Sequence, residues 1–144
     1  EPLAGTGTDL FVARRCGALW RGRDALLGEL DRLPHVPVHG DPVPANLRGR
    51  AGEDVVAIDW SGLGMGPVGG DLGLFMLSSL VPSDVLLGAY AASGPDRAHA
   101  HRGAVVTAAF TLLLRAVWSV GTPAQDGCGR ELARHAGVLD EALA

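Results

Sequence analysis

The stretch V-H-G-D-P-V-P-A-N-L occupies residues 38–47, and V-V-A-I-D-W follows at residues 55–60. In each stretch a short apolar run leads into an acidic residue, Asp41 in the first and Asp59 in the second. Short apolar runs bounded by Pro and Gly are typical of strands. The pattern therefore predicts two strands that each hold a carboxylate at one end, where a rigid element aims it into a cleft.

Helical patterns lie on both sides of these strands. Before them, apolar residues from Val12 to Leu33 recur at three- and four-residue intervals, which predicts one or two amphipathic helices that end at Pro34. After them, apolar periodicity predicts helices at residues 72–80, 83–92, 96–120 and 125–143. A small hairpin is predicted over residues 47–58, and the six glycines between residues 62 and 73 predict a loop that leads into the helix at residues 72–80. The predicted fold class is mainly helical α+β.

Length and charge restrict the function. The 144 residues fit a single domain, residues 1–144, and no run of about 18 apolar residues predicts a membrane span. Every basic residue is arginine, and the net charge is −4. A mildly acidic chain lacks the positive field that attracts nucleic acid, so we expect no nucleic-acid partner. The same charge weakly favours a cationic small molecule as ligand. Cys16 and Cys128 form no C-x-x-C pair, and no signal-peptide pattern begins the chain, which predicts a cytoplasmic protein with reduced thiols.

Histidine and glycine before Asp41 make the pattern more specific. The combination H-G-D-x-x-x-x-N, then I-D-W, then D-L at residues 71–72 resembles the aminoglycoside phosphotransferase and choline kinase family. The resemblance implies the C-terminal lobe of a protein kinase-like fold, whose short strands carry the catalytic and metal loops. It also implies transfer of the γ-phosphate of ATP or GTP, with Mg²⁺, to a hydroxyl of a small acceptor such as an aminoglycoside.

The resemblance assigns a role to each polar residue of the motif. Asp41 would be the catalytic base that accepts or orients the proton of the acceptor hydroxyl. Asn46 and Asp59 would bind magnesium, a cation that prefers oxygen ligands. His39 and Asp71 would support the site structurally, His39 by fixing the loop and Asp71 by receiving backbone N–H bonds from it.

One part of the family pattern is missing from the sequence. Kinases of this architecture hold the nucleotide phosphates with a glycine-rich hairpin and a lysine of the N-terminal lobe, and this sequence contains no lysine. We therefore expect that the N-terminal nucleotide-binding lobe is absent, and no nucleotide-binding residue is predicted. Two alternatives stay open: a non-catalytic or truncated relative that binds a small molecule, and a zinc hydrolase built on His39 and Asp41.

Other residues have weaker patterns. The three tryptophans, Trp20, Trp60 and Trp118, are expected to anchor the core, since that is the commonest role of a tryptophan. Acidic residues after Asp71 could meet an amine of the acceptor, although solvated surface is the usual place for them. These candidates are Asp84, Asp96, Asp126 and Glu131.

Overall fold

The computed structural model describes residues 7–49 and 54–144, with side chains from residue 13 onward. It has mostly helical α+β architecture, so the predicted fold class is confirmed at that level. The helices are α1 (Gly7–Arg32), α2 (Gly70–Ser78), α3 (Ser83–Ala92), α4 (Arg97–Ser119), α5 (Gln125–Arg134) and α6 (Ala136–Ala142). The strands are β1 (His35–Val38), β2 (Leu47–Gly49), β3 (Val55–Ala57) and β4 (Gly64–Pro67).

Two antiparallel strand pairs lie between α1 and α2. β2 pairs with β3, as the predicted hairpin requires, and β1 pairs with β4. The prediction that the glycine-rich segment before α2 is a loop was wrong, because β4 lies within it. Strands are usually predicted from alternating apolar side chains, and the glycines of β4 do not give that pattern. The strand is recognised only from its backbone pairing with β1.

Helix boundaries follow the prolines at one end of the chain and not at the other. α1 is one continuous helix that ends at Arg32, two residues before Pro34. The single helix predicted over residues 125–143 is instead two helices, because the backbone leaves helical geometry at His135 with φ −102° and ψ 22°. No proline lies at this break, and the apolar periodicity continues across it, so the sequence predicted one helix.

Most of the core surrounds α4. Its apolar side chains pack with residues of α1, α5 and α6 in one buried cluster that includes Leu19, Leu112 and Leu139. By length and composition α4 could cross a membrane, and half of its most apolar window is buried inside the protein. Its contacts with all five other helices account for that apolar composition.

Glycines bring α2 against the backbone of α4. A Cβ added to Gly73 would lie 2.3 Å from the carbonyl oxygen of Ala104, and one added to Gly103 would lie 1.9 Å from that of Val68. Both distances are far below van der Waals contact, so a larger residue at either position would push the two segments apart. The close contact fixes the start of α2, which carries Asp71.

Ion pairs attach the C-terminal helix to the rest of the molecule. Arg15 binds both carboxylate oxygens of Asp140 at 2.6 Å each. The guanidinium of Arg102 donates to Glu29 at 2.7 Å and to two main-chain carbonyl oxygens at the end of α6. The hydrogen bond from Arg102 holds the pKa of Glu29 below its ordinary value. Arg102 thus joins α1, α4 and α6.

This lowered pKa predicts a pH dependence of stability. A carboxyl group whose pKa is lower in the folded state stabilises the fold above its unfolded pKa, and that contribution disappears as the pH falls through the folded value. We expect Glu29→Gln to be less stable than wild type above about pH 5, with a difference that shrinks below about pH 4. Urea unfolding from pH 3 to 6 measures it, and a difference that is constant with pH would contradict the assignment.

The close packing at Gly103 predicts that alanine there is destabilising, whereas alanine at Gly22, an uncrowded glycine of α1, is not. Gly103→Ala should lower the free energy of unfolding by about 1–3 kcal/mol, because its Cβ would collide with the Val68 carbonyl. Gly22→Ala, at a position in α1 with nothing within 4 Å, should raise it by up to about 1 kcal/mol. Urea unfolding of both variants tests this, and equal stabilities would refute the close packing.

Candidate active site

The carboxylate of Asp71 binds the loop that follows β1. Asp71 lies in the first turn of α2, and its Oδ2 accepts a hydrogen bond from the main-chain N–H of His39 at 2.6 Å. Its Oδ1 accepts from the N–H of Gly40 at 3.0 Å. A carboxylate at this end of a helix is also stabilised by the helix dipole. These two bonds attach the residues before Asp41 to the helix.

Gly40 brings this loop against the loop that follows β3. Its φ of 87° is in the left-handed region that glycine adopts without strain. A Cβ on Gly40 would lie 2.4 Å from the carbonyl oxygen of Gly62. The two loops therefore touch backbone to backbone, and the glycine between His39 and Asp41 has a steric reason as well as a conformational one.

His39 joins the same two loops through its ring. The side chain is 7% exposed, and its Nε2 lies 2.8 Å from the carbonyl oxygen of Ile58, which can only accept a hydrogen bond. Its Nδ1 lies 3.3 Å from the main-chain N–H of Asp41, which can only donate. The neutral ring with hydrogen on Nε2 satisfies both contacts. Because both nitrogens are occupied, zinc ligation by His39 would require breaking one of these bonds, which argues against the zinc hydrolase.

Asn46 is bound directly to Asp41. Its side-chain nitrogen donates to the Asp41 carboxylate at 3.0 Å and to the Asp41 carbonyl oxygen at 2.9 Å. The short 3-10 helix Pro44–Asn46 carries it, and proline at the start of that turn fixes the backbone. Asp41 itself is exposed at the surface, where an acceptor hydroxyl could reach it.

Asp59 lies beside Asn46 because of the β2–β3 hairpin. The N–H of Ile58 donates to the main-chain oxygen of Asn46 at 2.9 Å, so the pairing continues one step beyond the strands. Asp59 has φ 61° and ψ 63°, and the hydroxyl of Ser61 donates to its Oδ1 at 3.0 Å. These bonds connect Asp41 to Asn46, and Asn46 to Ile58, the residue directly before Asp59.

The candidate site offers oxygen donors, two carboxylates and one amide, which are the ligand type that magnesium prefers. Among residues 13–49 and 54–144, whose side chains the structure describes, no group of three or more His, Cys, Asp or Glu could hold a metal ion. The Oδ2 of Asp59 is not used by Ser61, and the amide of Asn46 uses its nitrogen toward Asp41, which leaves its oxygen for another partner. Magnesium often takes few protein oxygens and completes its shell with water and phosphate oxygens.

Comparison with known proteins identifies the family of this chain. The model of the phosphotransferase enzyme family matches residues 5–102, a range that contains every residue of the candidate site. The match covers more than half of the chain, which therefore belongs to this family, and the resemblance inferred from the sequence motif is confirmed. No curated protein and no solved structure matched the chain significantly.

The tryptophans were predicted wrongly. Trp20 is 60% exposed, Trp60 51% and Trp118 75%, so none of them anchors the core. Apolar side chains from α1 and α4 fill the core instead. Trp60 lies against His39, with ring centroids 4.5 Å apart, and so belongs to the site. Its position directly after Asp59 was the available signal, and Ser61 could have been found in the same way.

Two of the candidate acceptor carboxylates, Asp126 and Glu131, lie on α5. Glu131 forms an ion pair with Arg115 near the C-terminal end of α4, in the wall of a cleft of about 470 Å³. Arg115 is about 16 Å further along the α4 axis than Ala104, the residue that contacts α2. To bind an amine of the acceptor, Glu131 would have to give up its ion pair with Arg115.

The Asp71 contact predicts a measurable loss of stability. Asp71→Asn leaves one acceptor oxygen for two N–H donors and removes the charge, so we expect the free energy of unfolding to fall by about 1–3 kcal/mol. Asp31→Asn, an exposed change in the last turn of α1, is the matched control and should stay within about 0.5 kcal/mol of wild type. Urea unfolding of both measures this, and a neutral Asp71→Asn would contradict the role of the contact.

Proposed function

We propose that this chain is the catalytic and metal-binding lobe of a protein kinase-like small-molecule phosphotransferase. It would transfer the γ-phosphate of ATP, with magnesium, to a hydroxyl of a small acceptor of the aminoglycoside type. The family match supports phosphotransferase chemistry in general. The observation that supports the finer proposal is a pair of hydrogen bonds: Asn46 donates to the Asp41 carboxylate, and its main-chain oxygen accepts the N–H of Ile58, the residue before Asp59.

In this proposal Asp41 orients the acceptor. Its carboxylate is exposed and restrained by Asn46, so an acceptor hydroxyl could donate a hydrogen bond to it and be aimed at the phosphorus. As the hydroxyl oxygen bonds to phosphorus and the bond to the leaving ADP oxygen breaks, Asp41 would take the hydroxyl proton. His39 and Asp71 keep the loop in place without contact to the acceptor.

Asn46 and Asp59 would hold the cation. A magnesium ion held by these residues would supply positive charge to offset the negative charge that develops during phosphate transfer. The oxygens that these two residues leave unused by Asp41 and Ser61 support this assignment. The acceptor could be cationic, since the chain carries a net charge of −4.

A second candidate function is binding of a small molecule without catalysis. The observation that favours it is the absence of lysine from the sequence, because an arginine is a poor substitute for the lysine that pairs with the nucleotide phosphates. These 144 residues by themselves would then bind nucleotide weakly, while the site could still hold an acceptor.

Binding of Mn²⁺ with ATP, followed by electron paramagnetic resonance, tests the metal assignment. We expect Asp59→Asn to weaken Mn·ATP binding by about tenfold or more, because it removes a charged ligand. Asp41→Asn should leave that affinity within about twofold and abolish phosphate transfer to an aminoglycoside. Asp31→Asn is the control. Unchanged Mn·ATP affinity in Asp59→Asn would refute the magnesium site.

Phosphorus NMR of the same samples separates the two candidate functions. Formation of a phosphorylated aminoglycoside by wild type, and its loss in Asp41→Asn, would support the phosphotransferase. Acceptor binding without any Mn·ATP binding or turnover would support the binding module.

A further inference from the structure

Trp60 has a large side chain that belongs to neither of the two buried apolar clusters. It is 51% exposed, so burial of its ring contributes less than it would in the core. It nevertheless makes two specific contacts. Its indole N–H donates to the carbonyl oxygen of Ala57 at 2.9 Å, and its ring lies against the imidazole of His39 at a tilt of 47°.

The residue before Trp60 has a strained backbone. Among the described residues Asp59 is the one non-glycine residue with positive φ. Such a conformation is unfavourable for a residue with a Cβ, although Asp tolerates it better than most. It persists only when the surrounding structure holds it in place.

The neighbours of Asp59 are held on both sides. Ile58 is fixed by its N–H bond to Asn46 and by the bond from the His39 ring to its carbonyl oxygen. Trp60 is fixed by its bond to Ala57 and by its contact with the same His39 ring. The left-handed turn at Asp59 is therefore enclosed between two anchored residues, and His39 contacts both.

We propose that Trp60 is a positioning residue that holds Asp59 in its left-handed conformation and so directs the Asp59 carboxylate toward the Asn46 side chain. Through the His39 ring it also couples the Asp59 loop to the Asp41 loop, because the other nitrogen of that ring accepts the main-chain N–H of Asp41. The ligand role of Asp59 rests on the proposed function, whereas the backbone role of Trp60 does not.

Hydrogen exchange measured by NMR tests the backbone role without metal or nucleotide. In Trp60→Leu, which removes both contacts, the Ile58 main-chain N–H and the His39 ring N–H should exchange about tenfold faster than in wild type. Trp60→Phe keeps a ring but has no N–H, so its effect should be smaller. Exchange of the fully buried Val106 amide reports global stability and should be unchanged.

Trp118→Leu is the matched control, because Trp118 is 75% exposed and lies near the end of α4, away from the site. It should leave all these exchange rates within about twofold of wild type. Rates for Ile58 and His39 that are equally unaffected in Trp60→Leu would overturn the proposal. Trp60→Phe gives the same test if the leucine variant does not fold, since loss of the N–H bond alone should still raise both rates.

Mn·ATP affinity tests whether Trp60 orients the Asp59 carboxylate for metal binding. We expect Trp60→Leu to weaken it by about tenfold, in the range typical of residues that orient a metal ligand. Faster exchange with unchanged affinity in Trp60→Leu, while Asp59→Asn does lose affinity, would overturn the positioning role and leave the proposed function intact. Faster exchange with unchanged affinity in both variants would instead refute the proposed function and leave the backbone role of Trp60 standing.

Discussion

The two hydrogen bonds from the backbone of His39 and Gly40 to the Asp71 carboxylate are the contact on which the site depends. The donors follow β1 and the acceptor begins α2, so a single carboxylate joins a strand pair to the helical part of the molecule. The close approach of α2 to the α4 backbone at Gly73 fixes the position of that carboxylate. The geometry of the loop therefore derives from glycine packing between two helices as much as from the residues of the loop.

From this contact the rest of the site follows in a chain of short-range bonds. The loop carries Asp41, Asp41 binds Asn46, and the main chain of Asn46 binds Ile58 next to Asp59. Each step uses a main-chain group or a short polar side chain, which leaves little conformational freedom to be lost when a substrate arrives. An exposed site can be ordered in this way without being buried.

The sequence was sufficient to predict the family and most of the helices. The spacing of His39, Asp41, Asn46 and Asp59 predicted a family that the comparison confirmed, and apolar periodicity predicted α1, α3 and α4 within a few residues. It failed where structure comes from backbone contacts alone. β4 has no alternating apolar pattern, and the surface contact between Trp60 and His39 joins residues from separate loops, so no local pattern reports either.

The apolar side chains form two clusters, and this division has a consequence for how the molecule could fail. The larger cluster joins α1, α4, α5 and α6 and also takes Leu77 from the end of α2, whereas the smaller one includes Val68 and Leu72 near the start of α2. Partial unfolding commonly follows such cooperative units. If the start of α2 detached from α4, the Asp71 contact would be lost while the larger cluster kept its side chains from α1, α4, α5 and α6. The chain would then still be largely helical by circular dichroism yet without the candidate site, so a folded spectrum alone would be a poor measure of functional protein.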